Sequence, residues 1–597
     1  MAKFIDTCSN RVQQYFKLQN SRHDLRYLLL GGIIGFISGV VAIAFRESIN
    51  FITDFFFNTG HNEMKIIETL KSLPWWLCLS PIPVSAFIAW FTRKYAPEAQ
   101  GHGVPEIMGA MATNRGIIRP RVASIKLFAS ALSIGSGASV GREGPTALIG
   151  ATIGSWFGSI LQFPVQRMKM TVACGTAAGI AATFNAPLAG TAFALELIVG
   201  HFNVRMLAPI ILSAMMATVV SHYHYGDFHS LFAQLNYEIG HPLEIVIYAI
   251  MGGFMGCAGA FFTKLLYASE DFSEKIKIPI LAKGAIGGVG VALSLMYFPE
   301  LTGPATWESI NNTLIKGISS DTAMIFLFIG FAKIIMTCWC LSLGGSGGIF
   351  APSLMIGGSL GAGYGFFASK LLPAYTDPPY SYSLIGMGAF VAGVTQAPLT
   401  AISIIFEMTN NMSIILPMFV SAAVAVGTFN HFVEGSIYSL KLKRRGLNIE
   451  WGRETGALEN VQISKICEPV DIYFYEDTPL TEVIEKIETA TRSTVVVVDK
   501  NFTLKGLVSF WEFRDLVREN KVADNTVKDV MRKEVMCVKP EQNLYDAFIK
   551  FSSGDFDFLP VVENDTSLKL LGIVSRHRML QVYKNQLTLR GIIDPKD

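Results

Sequence analysis

The sequence predicts two fold classes in one chain of 597 residues: an all-α polytopic membrane domain and, after it, a smaller α/β soluble domain. Three observations predict this. Charged residues make up 16% of the chain, against about 25% in an ordinary soluble protein. They are also unevenly spread, at about 11% of positions up to 445 and about 30% beyond. A soluble globule has too much surface to run at the lower density for hundreds of residues. The apolar runs of the first part are short and broken by Gly and Pro, and the part repeats itself.

The runs fall near 27–57, 75–92, 122–134, 146–162, 170–200, 206–220, 243–267, 279–298, 322–341, 349–372, 383–406 and 413–430. Several are shorter than the roughly 20 residues of a full span. Broken helices at membrane depth survive only where they are buried in protein or line a cavity, which points to a channel or transporter. The first 26 residues carry Lys3, Asp6, Arg11, Lys17, Arg22, Asp24 and Arg26, too polar for a secretory signal. With Lys441, Lys443, Arg444 and Arg445 after the last run, they place both termini in the cytoplasm. The expected boundaries are an N-terminal segment 1–25, a membrane domain 26–445, a linker 446–460, soluble repeats 461–522 and 523–587, and a tail 588–597.

At an offset of 207, Lys126 aligns with Lys333, Pro145 with Pro352, Ile149 with Ile356, Gly150 with Gly357 and Gly154 with Gly361. At 211, Gly175 aligns with Gly386, Ala186-Pro187-Leu188 with Ala397-Pro398-Leu399, and Glu196 with Glu407. Shared small-residue composition explains the glycines, but not Lys, Pro and Glu recurring in one order. A duplicated membrane unit does, and such units hold their substrate at the repeat interface. In the soluble part, strand-like runs 494–498, 504–508, 559–562 and 570–574 alternate with helical stretches 480–490, 513–519, 544–551 and 578–583. Lys505-Gly506-Leu507-Val508-Ser509 and Leu571-Gly572-Ile573-Val574-Ser575 lie 66 residues apart, so this part is duplicated too.

Five segments bring small residues up to a proline: 101–105 (GHGVP), 141–145 (GREGP), 185–187 (NAP), 347–352 (GGIFAP) and 396–398 (QAP). Proline suits the first turn of a helix, and glycine admits a ligand close to the backbone. First-turn N–H groups have no partner within the helix and carry part of a positive charge. Several such termini converging inside a membrane make an anion site. Partial charges hold a halide yet let it leave. Each proline alone is equally well a kink. Glu143 stands out, because a carboxylate inside a membrane protein is costly. Beside those N–H groups it can occupy the anion site and be displaced by protonation or by an anion, a gate and a proton carrier. A helix cap or a pair with Arg142 is the plainer account. Glu196 and Glu407 are expected to hold the two halves together, with Glu196 also a proton-path candidate.

The motifs GREGP, GGIFAP, FNAPLAG at 184–190 and the APLTA…EMT run at 397–409 resemble those of the CLC chloride channels and transporters, over nearly all of 26–445. The resemblance implies a homodimer in the cell (inner or plasma) membrane, one chloride route per subunit, and about eighteen helices in two inverted halves. It makes Glu143 the gating glutamate. The anion would be held by the 102–103, 142–144 and 348–350 segments, that is His102, Gly103, Arg142, Glu143, Gly144, Gly348, Ile349 and Phe350. Tyr438 in Gly435-Ser436-Ile437-Tyr438-Ser439 would complete the site with a neutral hydroxyl donor. Two positions depart from the family. His102 stands where Ser or Pro is usual, and it brings either a titratable group or a neutral donor. Leu197 follows Glu196 where many proton-coupled members have a second glutamate. Passive or weakly coupled flux is therefore expected, with chloride/proton exchange by another route as the alternative.

The soluble part resembles a pair of CBS domains, which implies adenine nucleotide at Ser509, Glu512 and Ser575, or else a dimerising module. The second repeat departs, with Arg578 where a carboxylate is expected. No resident cofactor is otherwise required. A CBS-linked divalent-cation transporter is disfavoured, since 322–432 holds two acids, Asp377 and Glu407. A net charge of +2 gives no nucleic-acid footprint. Eight scattered cysteines form no CxxC pair, and ten histidines form no HExxH, so no metal enzyme is read.

Overall fold

The structure is a computed structural model. It describes residues 23–59, 66–97, 101–200, 204–226, 240–306, 308–309, 320–376, 378–447, 458, 461–489, 494–518, 522, 525–554, 556–564 and 567–589. Most of the expected N-terminal segment, linker and tail lies outside them. The chain divides into two compact units, Met1–Gly446 and Leu447–Asp597.

The first half of the first unit holds α1 His23–Phe57, α2 Ile66–Lys71, α3 Pro81–Tyr95, α4 Val104–Thr113, α5 Pro120–Gly135, α6 Glu143–Ile160, α7 Val165–Phe184, α8 Pro187–Phe193 and α9 Val204–Tyr225. The second holds α10 Glu244–Lys275, α11 Ile280–Tyr297, α12 Ser320–Ser342, α13 Phe350–Leu371, α14 Pro379–Thr395, α15 Pro398–Thr409, α16 Ile415–Phe432 and α17 Ile437–Arg444. The apolar runs 170–200 and 383–406 each split into two helices. Asn185 (φ 55°) and Gln396 (φ 58°) end the first helix in the left-handed region, and Pro187 and Pro398 begin the next. Six described stretches are long and apolar enough to cross a membrane. Helices α6, α7, α13 and α14 fall outside that set, yet most of their residues are buried.

Small residues let these inner helices touch backbone to backbone. A Cβ on Gly150 or Gly154 of α6 would strike the Gly175 or Thr171 carbonyl of α7. In the second half, Gly357 and Gly361 of α13 meet the Gly386 and Tyr382 carbonyls of α14 in the same way. The halves also exchange bonds reciprocally. Gly141 N donates to Gly348 O (2.7 Å) and Gly348 N donates to Gly141 O (2.6 Å). Glu196 accepts from Leu399 N (3.0 Å), Thr400 N (2.8 Å) and Thr400 Oγ1 (2.6 Å). Glu407 accepts from Leu188 N (2.9 Å) and Ala189 N (2.8 Å). These partners are the pairs that the offsets of 207 and 211 align. When i meets j′ and i′ meets j, the two halves are related by a pseudo-two-fold axis.

The second unit has a three-stranded sheet of β1 Tyr473–Tyr475, β2 Thr494–Val498 and β3 Leu504–Ser509, and a hairpin of β4 Phe558–Val562 and β5 Leu570–Ser575. Its helices are α18 Leu480–Thr489, α19 Phe510–Arg518, α20 Val527–Val530, α21 Leu544–Ser552 and α22 Arg576–Leu589. Strand β1, parallel to β2, has no counterpart among the expected runs, because three residues are too few to show alternation. Helix α19 begins three residues earlier than expected, since Ser509 and Glu512 cap it. Reciprocity recurs here: Leu504 N donates to Leu568 O, and Leu570 N to Phe502 O, both 2.9 Å, with an offset of 66.

Candidate functional site

Three glycine-rich turns meet at the pseudo-two-fold axis of the first unit. Gly101 bridges Ser346, and Gly141 bridges Gly348. Between them the backbones leave no room for side chains. A Cβ on Gly103 would lie 2.8 Å from Gly144 O, and one on Gly348 would lie 2.8 Å from Gly144 N. A Cβ on Gly144 would overlap the His102 carbonyl and lie 3.2 Å from the Gly348 Cα. Gly103 also takes φ 89°, which L side chains rarely adopt. Helices α4, α6 and α13 start at this junction, with Gly103, Arg142 and Ile349 as their N-cap residues. Their first-turn amides therefore share one small volume.

Glu143 is 1% exposed. Its Oε2 accepts from Ala351 N in the first turn of α13 at 3.3 Å, and its Oε1 has no hydrogen-bond partner among the described residues. A carboxylate from one half thus sits on the helix start of the other, where an anion would be attracted. A cavity of about 50 Å³ opens beside it, lined by Asn50, Thr53, Thr59, Arg142 and Thr306 as well as Glu143.

His102 and Tyr438 are buried together, with ring centroids 6.5 Å apart. Neither ring nitrogen of His102 has a hydrogen-bond partner among the described residues. Tyr438 is positioned by α17, whose Ser436 caps Ser439 N at 3.0 Å, and by Tyr267, whose hydroxyl donates to Ile437 O. Phe350 packs edge-on against Phe184 (5.6 Å) and Phe193 (6.3 Å).

His102, Gly103, Glu143, Gly144, Gly348, Ile349 and Phe350 are brought to one junction, with Tyr438 reached through His102. Arg142 caps α6 and faces the cavity. Glu196 is engaged elsewhere, as the cap of α15. Leu197 is 4% exposed, inside the π-helical turn Ala194–Val199 that continues α8.

Sequence reasoning missed the basic groups around Gly101. Lys126 is fully buried and donates to Gly101 O. Lys441 lies against Gly101 and pairs with Glu270 at 3.9 Å, and Arg445 pairs with Glu106 at 3.3 Å. A signal for Lys126 was present, since a lysine in an apolar run that recurs as Lys333 in the repeat is costly. Lys333 donates to Leu301 O (2.9 Å) and Thr306 Oγ1 (3.1 Å), a structural counterpart.

In the second unit, Glu512 Oε2 accepts from Ser509 N (2.9 Å) and from its hydroxyl, while Oε1 pairs with Arg532 at 3.2 Å. Ser575 Oγ accepts from Arg578 N at 3.2 Å. Among the described residues, no group of three or more His, Cys, Asp or Glu could hold a metal ion.

A family model described as "Voltage gated chloride channel" matches residues 84–430, and one for the CBS domain matches 463–519 and 527–585. The chain is 31% identical over 442 residues to the "H(+)/Cl(-) exchange transporter ClcA" of Vibrio campbellii, covering 72% of this chain and 92% of that protein. It is 30% identical over 422 residues to the "Putative chloride channel protein ClcB-like" of Ralstonia nicotianae, covering 70% and 96%. Among solved structures, a slow cyanobacterial Cl-/H+ antiporter aligns with a TM-score of 0.62 at 26% identity, covering 70% of this chain and 98% of that one. A eukaryotic CLC transporter aligns with a TM-score of 0.61 at 21% identity over 93% of this chain and 98% of its own, a likeness of fold.

Proposed function

The chain belongs to the voltage-gated chloride channel family, and from that premise we propose that it passes chloride and similar small anions through its membrane-embedded unit, with Glu143 as the gate. The observation that carries this reading is the hydrogen bond from Ala351 N to the buried Glu143 carboxylate. A negative group already occupies the helix starts that would receive the anion, and its second oxygen has no partner among the described residues to hold it there. Displacing it from the opposite half breaks the one bond to Ala351 N, so protonation or an arriving anion can do so.

In this reading the amides of Gly144, Gly348, Ile349 and Phe350 and the hydroxyl of Tyr438 attract the anion by partial charge. His102 and Gly103 shape its inner approach, and Arg142 draws it into the cavity beside Glu143. The protein works as a homodimer in the cell (inner or plasma) membrane, with both termini in the cytoplasm. Flux is passive or weakly coupled. Leu197 carries no proton, and the Glu196 carboxylate is engaged by Leu399 N, Thr400 N and Thr400 Oγ1 of α15. The second reading, chloride/proton exchange by another route, is favoured by the exchange-transporter relatives. In the soluble unit, an adenine nucleotide at Ser509, Glu512 and Ser575 would have to break the Glu512–Arg532 pair.

Liposomes loaded with chloride and holding the full-length protein test both readings. Passive flux moves no protons uphill as chloride leaves, whereas uphill proton movement establishes exchange. Glu143→Gln keeps anion flux and removes its pH dependence. Unchanged pH dependence would remove Glu143 from the gate.

A further inference from the structure

A large apolar cavity of the first unit lies away from the proposed anion site. It measures about 610 Å³ and opens between α10, α11 and the end of α12. Phe261, Leu265, Phe272, Ile286, Ile335 and Trp339 give it greasy walls, and all but Leu265 are large side chains exposed by 39% or more. A volume of this size is in the range of ligand pockets, roughly 300–1,000 Å³. Lys283 is the one charged residue among its lining, and its amine donates to Ser273 O at the rim. An ammonium has two further donors to offer. Ile276 and Ile278 line the same rim, and the residues between and before them, Lys277 and Lys275, are exposed. One lysine therefore lines the slot, and two more are exposed at positions next in the chain to Ile276 and Ile278, which line it. Nearby, Asp271 is already taken by Arg444, leaving Glu274 as the exposed acid of this turn.

We propose that this slot is a binding site for one anionic phospholipid, an acyl chain lying along the Phe261, Leu265 and Ile335 walls and the phosphate resting on Lys283. The charge pattern selects this occupant. Any bilayer lipid satisfies the apolar walls, but the lysines at their rim match a headgroup of net negative charge. Basic pockets between membrane helices on the cytoplasmic side suit such headgroups. The Arg444–Asp271 pair joins this end of α10 to the basic segment that the positive-inside rule puts there. Trp339, half-exposed, donates from Nε1 to Gly287 O at 3.3 Å, which orients its ring along the slot. The site makes no use of the anion route, so it stands or falls independently of the gate.

The test is lipid retention by the full-length protein, purified through detergent and read by native mass spectrometry. The probes are phosphatidylglycerol and phosphatidylcholine added in equal amounts. Wild type retains one phosphatidylglycerol per subunit in preference to phosphatidylcholine. One lysine near a headgroup contributes about 1 kcal/mol, so Lys283→Gln lowers that preference roughly five-fold. Lys283 also ties down Ser273, so a second variant, Ala268→Trp, fills the slot and leaves the lysine. It displaces the lipid from a protein whose chloride flux is unchanged. Equal retention of the two lipids overturns the proposal, as does retention that neither variant alters. So does disulfide cross-linking of two copies through Ile286→Cys, which would put a second copy over the slot.

Discussion

The two units solve one problem in the same way and end with different polar accounts. Each is a duplicated segment whose copies grip each other by reciprocal backbone bonds: Gly141 with Gly348 in the first, 502–504 with 568–570 in the second. In the soluble unit, no buried side-chain nitrogen or oxygen among the described residues lacks a partner, and the candidate Glu512 has both oxygens engaged. In the membrane unit, buried atoms without a hydrogen-bond partner among the described residues occur at Ser38, Ser80, Asn185 and Ser421 and, where the repeats meet, at both ring nitrogens of His102 and one oxygen of Glu143. Leaving a buried polar atom unpaired costs about 1–3 kcal/mol. At the junction these unpaired atoms come together with the glycine-rich helix starts, and that combination has no counterpart among the described residues of the soluble unit.

The largest effect tests that contrast at its glycines. In Gly144→Ala, the new Cβ has the His102 carbonyl and the Gly348 Cα in its way, none of which can move without opening the junction. Overpacking of this kind costs typically about 1–3 kcal/mol, and here it falls on the proposed anion route, so chloride flux should be lost. In the soluble unit, a Cβ on Gly572 would meet Cys467 Sγ and, at 2.5 Å, Glu468 O, also too close for a side chain. Gly572→Ala should lower the melting temperature while the flux of the folded protein persists. Gly427→Ala in α16, with nothing within 4 Å, is the control and should be neutral or slightly stabilising. Flux that survives Gly144→Ala at wild-type level would break the comparison.

Much of this was legible in the sequence. Proline after Asn185 and after Gln396 announced the breaks before α8 and α15. The offset of 211 paired Glu196 with Glu407, the two carboxylates that bond across the axis, whereas the Gly141–Gly348 bonds were not named. What was not legible depends on residues distant in the chain. A separation of 336 positions between His102 and Tyr438 hides their contact, and Lys441 reads as part of a cytoplasmic basic run until α17 folds it back against Gly101. Strand β1 was lost for a local reason, being three residues long.

A smaller effect sharpens the reciprocity. Glu196 and Glu407 each satisfy two backbone N–H groups at the start of the opposite half's helix. Losing a cap costs about 0.5–2 kcal/mol. Glu196→Ala and Glu407→Ala should therefore destabilise the protein by similar amounts, with Glu196→Ala slightly worse because Thr400 Oγ1 is orphaned too. Thermal unfolding in detergent measures this. A strongly unequal pair would break the two-fold account. Loss of proton coupling in Glu196→Ala, beyond that shared stability loss, would return Glu196 to a proton route.

The smallest effect belongs to the soluble unit, where polar groups are satisfied at the surface. Asp529 accepts from Thr526 N (2.9 Å) and Thr526 Oγ1 (2.8 Å) at the start of α20. Those bonds hold its carboxyl below the ordinary value of 3.8. A depressed pKa means that the cap's contribution is fully present above the unfolded carboxyl's titration and is lost as pH falls through the folded one. Hydrogen exchange across 526–530 in the full-length protein, corrected for intrinsic rate, should show wild-type protection declining below about pH 4. Asp529→Asn has no charge to lose, so its protection starts slightly lower and stays flat over the same interval. A decline of equal depth in both proteins would mean that another acid holds this turn, and that the soluble unit's satisfied polar groups are not what steadies it.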